Sequence, residues 1–203
     1  MKLNAQQLRT IPVDIAEAKK VKRNPITIIC DNVLDTYNVG AIFRLADAVA
    51  AEKVYLCGAT ETPPNSKIKK ASINTWQWVE WEYIATAKEA IMKVRGSADA
   101  KAMADKQKAE GTRLPDGQGK QKIQIIAVEQ DTRSKPFYQV EYQFPLAIVV
   151  GNETYGVSKE VLDMADAIVE LPMWGINKSL NVMVSCGIVL YEVMKQIDTI
   201  KYY

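Results

Sequence analysis

An α/β domain built on a largely parallel sheet is the fold class this sequence predicts, and three observations predict it. Short runs of β-branched and aliphatic residues alternate along the chain with stretches whose apolar residues recur at helical spacing. The chain has 203 residues, 48% hydrophobic and 25% charged, which suits one globular domain able to bury a full core. Several of the strand-like runs end in glycine or in polar residues, as strands do where an open sheet binds its ligand.

The elements follow in order. Residues 1–23 read as a basic helical segment broken at Pro12, ahead of a domain over 24–203. Ile26, Thr27, Ile28, Ile29 and Cys30 form a buried strand. Apolar residues at 39, 42, 43, 46, 49 and 50 then predict a helix with Asn38 as its N-cap. A second strand runs from Lys53 to Gly58, and residues 59–75 form a long loop with Pro63, Pro64 and three lysines. Trp76 to Tyr83 reads as a strand and 86–95 as a helix. Residues 96–122 are rich in Ala, charge and glycine and read as an insertion. Ile123–Val128 and Leu146–Val150 are strands, Ser158–Met164 a short helix, Ile168–Leu171 a short strand and Ser179–Lys195 a closing helix.

Composition excludes several chemistries. There is no histidine, which removes Ser-His-Asp and Cys-His catalysis, His-ligated zinc and imidazole acid–base chemistry. Cys30, Cys57 and Cys186 lie far apart without CxxC spacing, which argues against a metal site and a disulfide framework and for a reducing, cytoplasmic compartment. The N-terminus lacks an apolar core of signal-peptide length, and no apolar run approaches the roughly 20 residues that span a bilayer, so no membrane partner is expected. Neither G-x-G-x-x-G after the first strand nor G-x-x-x-x-G-K-[ST] occurs, which disfavours the two commonest nucleotide sites of α/β sheets. The net charge of +2 is segregated: residues 1–26 and 93–122 each carry +4, and the remainder −6. That pattern is compatible with a polyanionic partner and also with a solvated helix and a charged loop.

Three segments leave strand ends with unusual polar and glycine content. Asn38-Val39-Gly40 opens a helix that carries Arg44 on the side away from its apolar centre. Read alone, it is also a solvated arginine beside a capping asparagine. Gly151-Asn152-Glu153-Thr154-Tyr155-Gly156 follows a buried strand; it is either a tight strand-to-helix turn or a place where backbone approaches a ligand. Leu171-Pro172-Met173-Trp174-Gly175 leads into Ser179-Leu180-Asn181, and capping explains one of Ser179 and Asn181 but not both.

Together these segments resemble the SpoU (TrmH-type) family of the SPOUT superfamily of RNA methyltransferases. The resemblance rests on Asn38, Gly40 and Arg44; on Val150 to Val157 with Asp166 and Leu171-Pro172-Met173; and on Ser179-Leu180-Asn181-Val182. Met183 and Ser185 depart from the family's usual residues, and Lys69 to Asn74 follows its Arg-x-Ser-x-Gly loop only loosely. The resemblance implies a parallel-sheet SPOUT fold with a C-terminal deep trefoil knot, an exception to the rule against knots. It implies S-adenosyl-L-methionine as cofactor, a homodimer, no metal, and methyl transfer to a ribose 2′-hydroxyl of tRNA or rRNA. Arg44 and Asn38 would lie at the reacting ribose, Glu153 and Asn181 would complete the site, and Ser179 would sit beside them. Gly151, Leu171, Met173 and Leu180 would touch the cofactor, with Val128 and Glu129 lining the same pocket. RNA capture would fall to the basic N-terminal segment, the lysines near 67–70 and the insertion. The runner-up is a catalytically inactive cofactor-binding and RNA-binding protein of the same fold.

Overall fold

The computed structural model describes residues 13–96 and 122–201. The N-terminal twelve residues and nearly all of the expected insertion lie outside the described residues. Of the basic N-terminal segment, the structure describes a short helix α1 (Ile15–Lys19), whose start is capped by the Asp14 carboxylate.

Seven strands form one sheet in the order β3-β2-β1-β6-β4-β7-β5, and every pairing is parallel. They are β1 (Asn24–Asp31), β2 (Ala51–Cys57), β3 (Trp81–Ile84), β4 (Gln124–Val128), β5 (Lys135–Pro136), β6 (Leu146–Val150) and β7 (Ala167–Glu170). The helices are α2 (Thr36–Ala48), α3 (Ser66–Ser72), α4 over residues 87–96, α5 (Lys159–Leu162) and α6 (Val182–Lys201). A parallel sheet is buried on both faces, so its central strands are apolar at nearly every position. The period of two sorts them: Ile26, Ile28, Cys30, Ile126, Leu146, Ile148 and Val150 join the core under α2 and α6. Ile29, Ile125, Ala127, Ala147 and Val149 join the core under α4 and α5.

The chain runs outward from β1 through β2 to β3, crosses to β4, and later inserts β6 between β1 and β4. The carboxyl ends of β6, β4 and β7 thereby lie side by side at the place where strand order reverses, where ligands of open sheets bind.

Four sequence expectations need correction. Helix α2 is capped by Asp35, whose carboxylate accepts from Tyr37 N at 2.8 Å, and not by Asn38. The preceding amides fix that start: Val33 N donates to Thr60 Oγ1, and Leu34 and Asp35 N donate to Glu153. Asn38 is thus in the first turn, with its side chain free for other use. The stretch 59–75 is not all loop, because Asn65 caps α3 by accepting from Lys67 N and Ile68 N. This helix hides from periodicity, since Ile68 is its one buried apolar residue.

The strand expected from Trp76 begins only at Trp81; Thr75–Gln77 is a 3₁₀ turn, entered through two left-handed residues, Ile73 (φ 49°) and Asn74 (φ 66°). Trp78 is held by its indole N–H on Asp47 Oδ1 at 2.7 Å, and Trp81 packs edge-on against Phe43. Finally, the closing helix starts at Val182, not Ser179. No described helix is long and apolar enough to cross a membrane.

Candidate active site

The loop after β6 carries most of the polar architecture. Asn152 and Gly156 exchange both backbone hydrogen bonds, at 3.0 and 2.9 Å, so Glu153, Thr154 and Tyr155 stand out as a tight turn. Asn152 Oδ1 accepts from Thr154 N and Tyr155 N, and its amide donates to the carbonyl of Asn32 at 2.9 Å. Gly156 is left-handed (φ 70°), and a side chain there would run into the Glu129 carboxylate. Glu129 in turn accepts from Val157 N and Gln130 N, each at 2.8 Å, while Asp31 accepts from Ser158 N at 2.8 Å. Carboxylates at the ends of β1 and β4 thereby pin the C-terminal flank of the turn, and the Asn152 amide holds the other.

Glu153 reaches from this turn to the start of α2. Its carboxylate accepts from Leu34 N and Asp35 N, each at 3.0 Å, and from Asn38 Nδ2 at 2.9 Å. Burial by itself would raise its pKa, but these donated hydrogen bonds, led by Asn38, outweigh it and hold the pKa below the ordinary glutamate value. Asn38, buried, uses its other amide atom to accept from Asn181 Nδ2 at 3.0 Å. Asn181 Oδ1 accepts from Met183 N at 2.9 Å and Val184 N at 3.4 Å, so Asn181 caps α6. One residue does both jobs that seemed to need two: its oxygen caps the helix and its amide joins the polar chain. Glu153, Asn38 and Asn181 form one continuous relay between the β6 loop, α2 and α6.

Beside the relay lies a cavity of about 420 Å³. Of the residues expected at a cofactor, Val128, Glu129, Gly151, Leu171, Met173 and Leu180 all line it, and so do Glu153, Ser179 and Asn181. Asn38 does not line it and joins only through its two hydrogen bonds. Arg44 is exposed, does not line the cavity, and has no hydrogen-bond or ion-pair partner among the described residues.

The sequence reading assigned no role to Gln130, Asn152, Thr154, Glu170, Val182 and Ser185, which also line the cavity. Asn152, Thr154 and Val182 lie inside the motif segments, and Ser185 stands out only as a departure from the family pattern; Gln130 and Glu170 give no signal, because their neighbours in space come from distant segments. Gln130 Nε2 donates to the carbonyl of Lys178, tying the loop after β4 to the loop before α6.

Catalysis by a thiolate is disfavoured, since all three cysteines are free and buried. Burial pushes the Cys57 and Cys186 thiols up to about 12. Among the described residues no cluster of His, Cys, Asp or Glu could hold a metal ion.

Known proteins resemble this chain in sequence and fold. The chain is 31% identical over 188 residues to a tRNA (guanosine(18)-2′-O)-methyltransferase of Aquifex aeolicus, covering 90% of this chain and 74% of the relative. The crystal structure of the A. aeolicus TrmH/SpoU tRNA modifying enzyme superposes with a TM-score of 0.66 at 27% identity, over 91% of this chain and 81% of that one. The SpoU methyltransferase AviRb of Streptomyces viridochromogenes, solved in complex with the cofactor AdoMet, shares the fold at a TM-score of 0.67 and 21% identity, over 93% of this chain and 67% of that one. The family model of the SpoU rRNA Methylase family matches residues 25–118 and 114–191, which between them take in both the relay and the cavity, and the chain belongs to that family.

Proposed function

We propose that this chain methylates a ribose 2′-hydroxyl of tRNA or rRNA, with S-adenosyl-L-methionine as the methyl donor. The observation that carries the reading is the junction of the cavity with the Glu153–Asn38–Asn181 relay, which ties a small-molecule pocket to the helix bearing Arg44. The relatives' names and the neighbour solved with AdoMet support it, and they do not favour the inactive alternative.

The residues fit that cofactor. Val128, Val150, Val169 and Leu171 offer an apolar wall, and Gln130, Asn152 and Ser179 offer polar groups, in a volume within the usual range for cofactor sites. Glu129, Glu153 and Glu170 give the lining a negative character suited to a sulfonium. The bound cofactor supplies an activated methyl group. The chain must align the ribose oxygen and help remove its proton, and alignment alone supplies several kcal/mol. In the absence of histidine, Arg44 carries the electrostatic part: a guanidinium binds the neighbouring phosphate or the developing oxyanion in a planar fork. The relay holds α2 at a fixed place and keeps the Asn181 side of the cavity rigid.

The dimer and the knot belong to the same reading. Helix α6 exposes Val184, Ile188 and Tyr191, spaced as one stripe, and the preceding loop exposes Trp174 and Ile176; a second copy of the chain would cover them. A knotted C-terminus is supported by the bond from Gln130 to Lys178 and by Gln196, which bonds Tyr142 N and the Val140 carbonyl, so the two segments clasp each other. Buried free cysteines suit a cytoplasmic site of action.

Calorimetry with S-adenosylhomocysteine in the presence of chelator tests the cofactor assignment. One-site binding is expected, and Gly156→Ala, which drives a side chain into Glu129, abolishes it. A wild-type chain that binds neither this ligand nor S-adenosylmethionine overturns the assignment.

A further inference from the structure

Fewer than half of the cations of the described residues are paired with an acid. Lys20 pairs with Glu17, Lys53 and Lys93 with Glu82, Arg95 and Lys122 with Asp166, and Arg133 with Asp131. Others have no partner, and a group of these gathers on one side of the molecule: Lys19, Lys22, Arg44, Lys67, Lys69 and Lys70, all exposed.

Packing puts them in a line. Helix α3 lies directly on α2: a side chain added at Gly40 would sit 2.6 Å from Ala71 Cβ and 2.8 Å from the Ile68 carbonyl. The last turn of α3, with Lys69 and Lys70, is therefore level with Gly40. Arg44 is one turn further along α2, rotated about 40° from Gly40 toward solvent. Asp47, nearly one more turn along, takes the Trp78 indole and lies 4.0 Å from Arg23 Nη1. Arg23 also donates to the carbonyls of Trp78 and Ala18, which ties α1, with Lys19 and Lys22, to the same end of α2. Three acids near this face are occupied: Asp47 by Trp78, Glu17 by Lys20, and Asp14 by the start of α1.

We propose that Lys69 and Lys70 on one flank and Lys19 and Lys22 on the other form a two-sided phosphate track centred on Arg44, which holds the RNA backbone on both sides of the methylated nucleotide. This rests on the reading of the chain as an RNA ribose methyltransferase and specifies where the RNA lies. Unpaired exposed cations in a row suit a polyanion, because they bring no competing carboxylate and release counterions when each meets a phosphate. Such contacts fix position and register and carry no sequence information, so base identity would be read elsewhere. The close approach at Gly40 has a functional meaning on this account: it sets the lysines of α3 against the arginine of α2.

The test measures binding of the full chain to total tRNA against salt concentration, with methyl transfer and S-adenosylhomocysteine calorimetry alongside. Lys69→Gln with Lys70→Gln, and separately Lys19→Gln with Lys22→Gln, should each weaken binding at least about fivefold near 0.1 M salt and flatten the salt slope by about 1 to 2. Cofactor binding should not change, which also shows that the variants fold. Lys88→Gln with Lys135→Gln, unpaired cations away from the track, should leave the slope as it was. If neither pair differs from this control while the wild-type chain methylates RNA, the track is wrong and the function stands. If only one flank matters, the two-sided track is wrong. A wild-type chain that neither binds nor methylates RNA overturns both readings.

Discussion

Arg44 and Asn38 lie less than two turns apart on α2 and do opposite things. Asn38 is buried and spends both amide atoms on Glu153 and Asn181; Arg44 is exposed and unpartnered. Their separation predicts that catalysis and cofactor binding come apart on mutation. Arg44→Ala should slow single-turnover methyl transfer by at least about a hundredfold, the loss typical of one transition-state donor. Its calorimetric affinity for S-adenosylhomocysteine should stay near wild type. Arg44→Lys should fail largely too, since an ammonium cannot copy the planar fork. Retained turnover in Arg44→Ala would return Arg44 to a solvated surface arginine.

Asn181→Ala should behave differently, losing a cap worth about 1 kcal/mol and loosening the cavity wall, read as a lower Tm together with weaker cofactor binding. Glu153 gives a pH signature. Its folded pKa lies below the unfolded value of about 4.3, so its contribution is full above that value and is lost as pH falls through the lowered one. Glu153→Gln does not titrate. The Tm advantage of wild type over Glu153→Gln should therefore shrink between pH 6 and pH 3, and an advantage that grew on acidification would contradict the relay. At this scale the sequence brings Asn38, Glu153 and Asn181 into view but not the bonds between them, and it misplaces one cap. Asn38 looked like a cap because capping is a local signal, and only Glu153, remote in sequence, shows that the cap moves to Asp35.

Elements built from β-branched runs were legible almost to the residue, as β6 at Leu146–Val150 shows, because a strand buried on both faces has no polar positions to blur its ends. Helix α3 was not legible. It buries little apolar surface, and what holds it is the close approach of its backbone to Gly40. That contact yields a prediction. Gly40→Ala forces a Cβ against Ala71 and the Ile68 carbonyl, and over-packing of this kind costs about 1–3 kcal/mol. Chemical denaturation should show the loss with an unchanged slope m. A neutral result would mean that α3 can slide off α2 without cost. The strand expected from Trp76 failed for a related reason: aromatic bulk marks burial, and Trp78 is buried through its bond to Asp47 in a turn, not through a sheet ladder.

For the molecule as a whole, alternating strands and helices announced the parallel sheet, while the strand order did not follow from any local signal. The insertion of β6 between β1 and β4 brings the three motif segments to one edge, and residues such as Gln130 and Ser185 enter the cavity only through that topology. The apolar stripe on α6 carries the prediction at this scale. Light scattering at micromolar concentration should give a dimer, and Val184→Glu with Ile188→Glu should halve the mass to 22.7 kDa. A wild-type chain found only at 22.7 kDa would leave the stripe without an occupant.

Methyl transfer to ribose is measured most directly by following the label. The full chain is incubated with methyl-labelled S-adenosylmethionine and RNA lacking modification, with chelator present, and the RNA is digested to nucleosides. Label should appear in 2′-O-methylated nucleosides, undiminished by the chelator and lost with Arg44→Ala. Label on a base, or no transfer from a cofactor that calorimetry shows to be bound, would contradict ribose methylation.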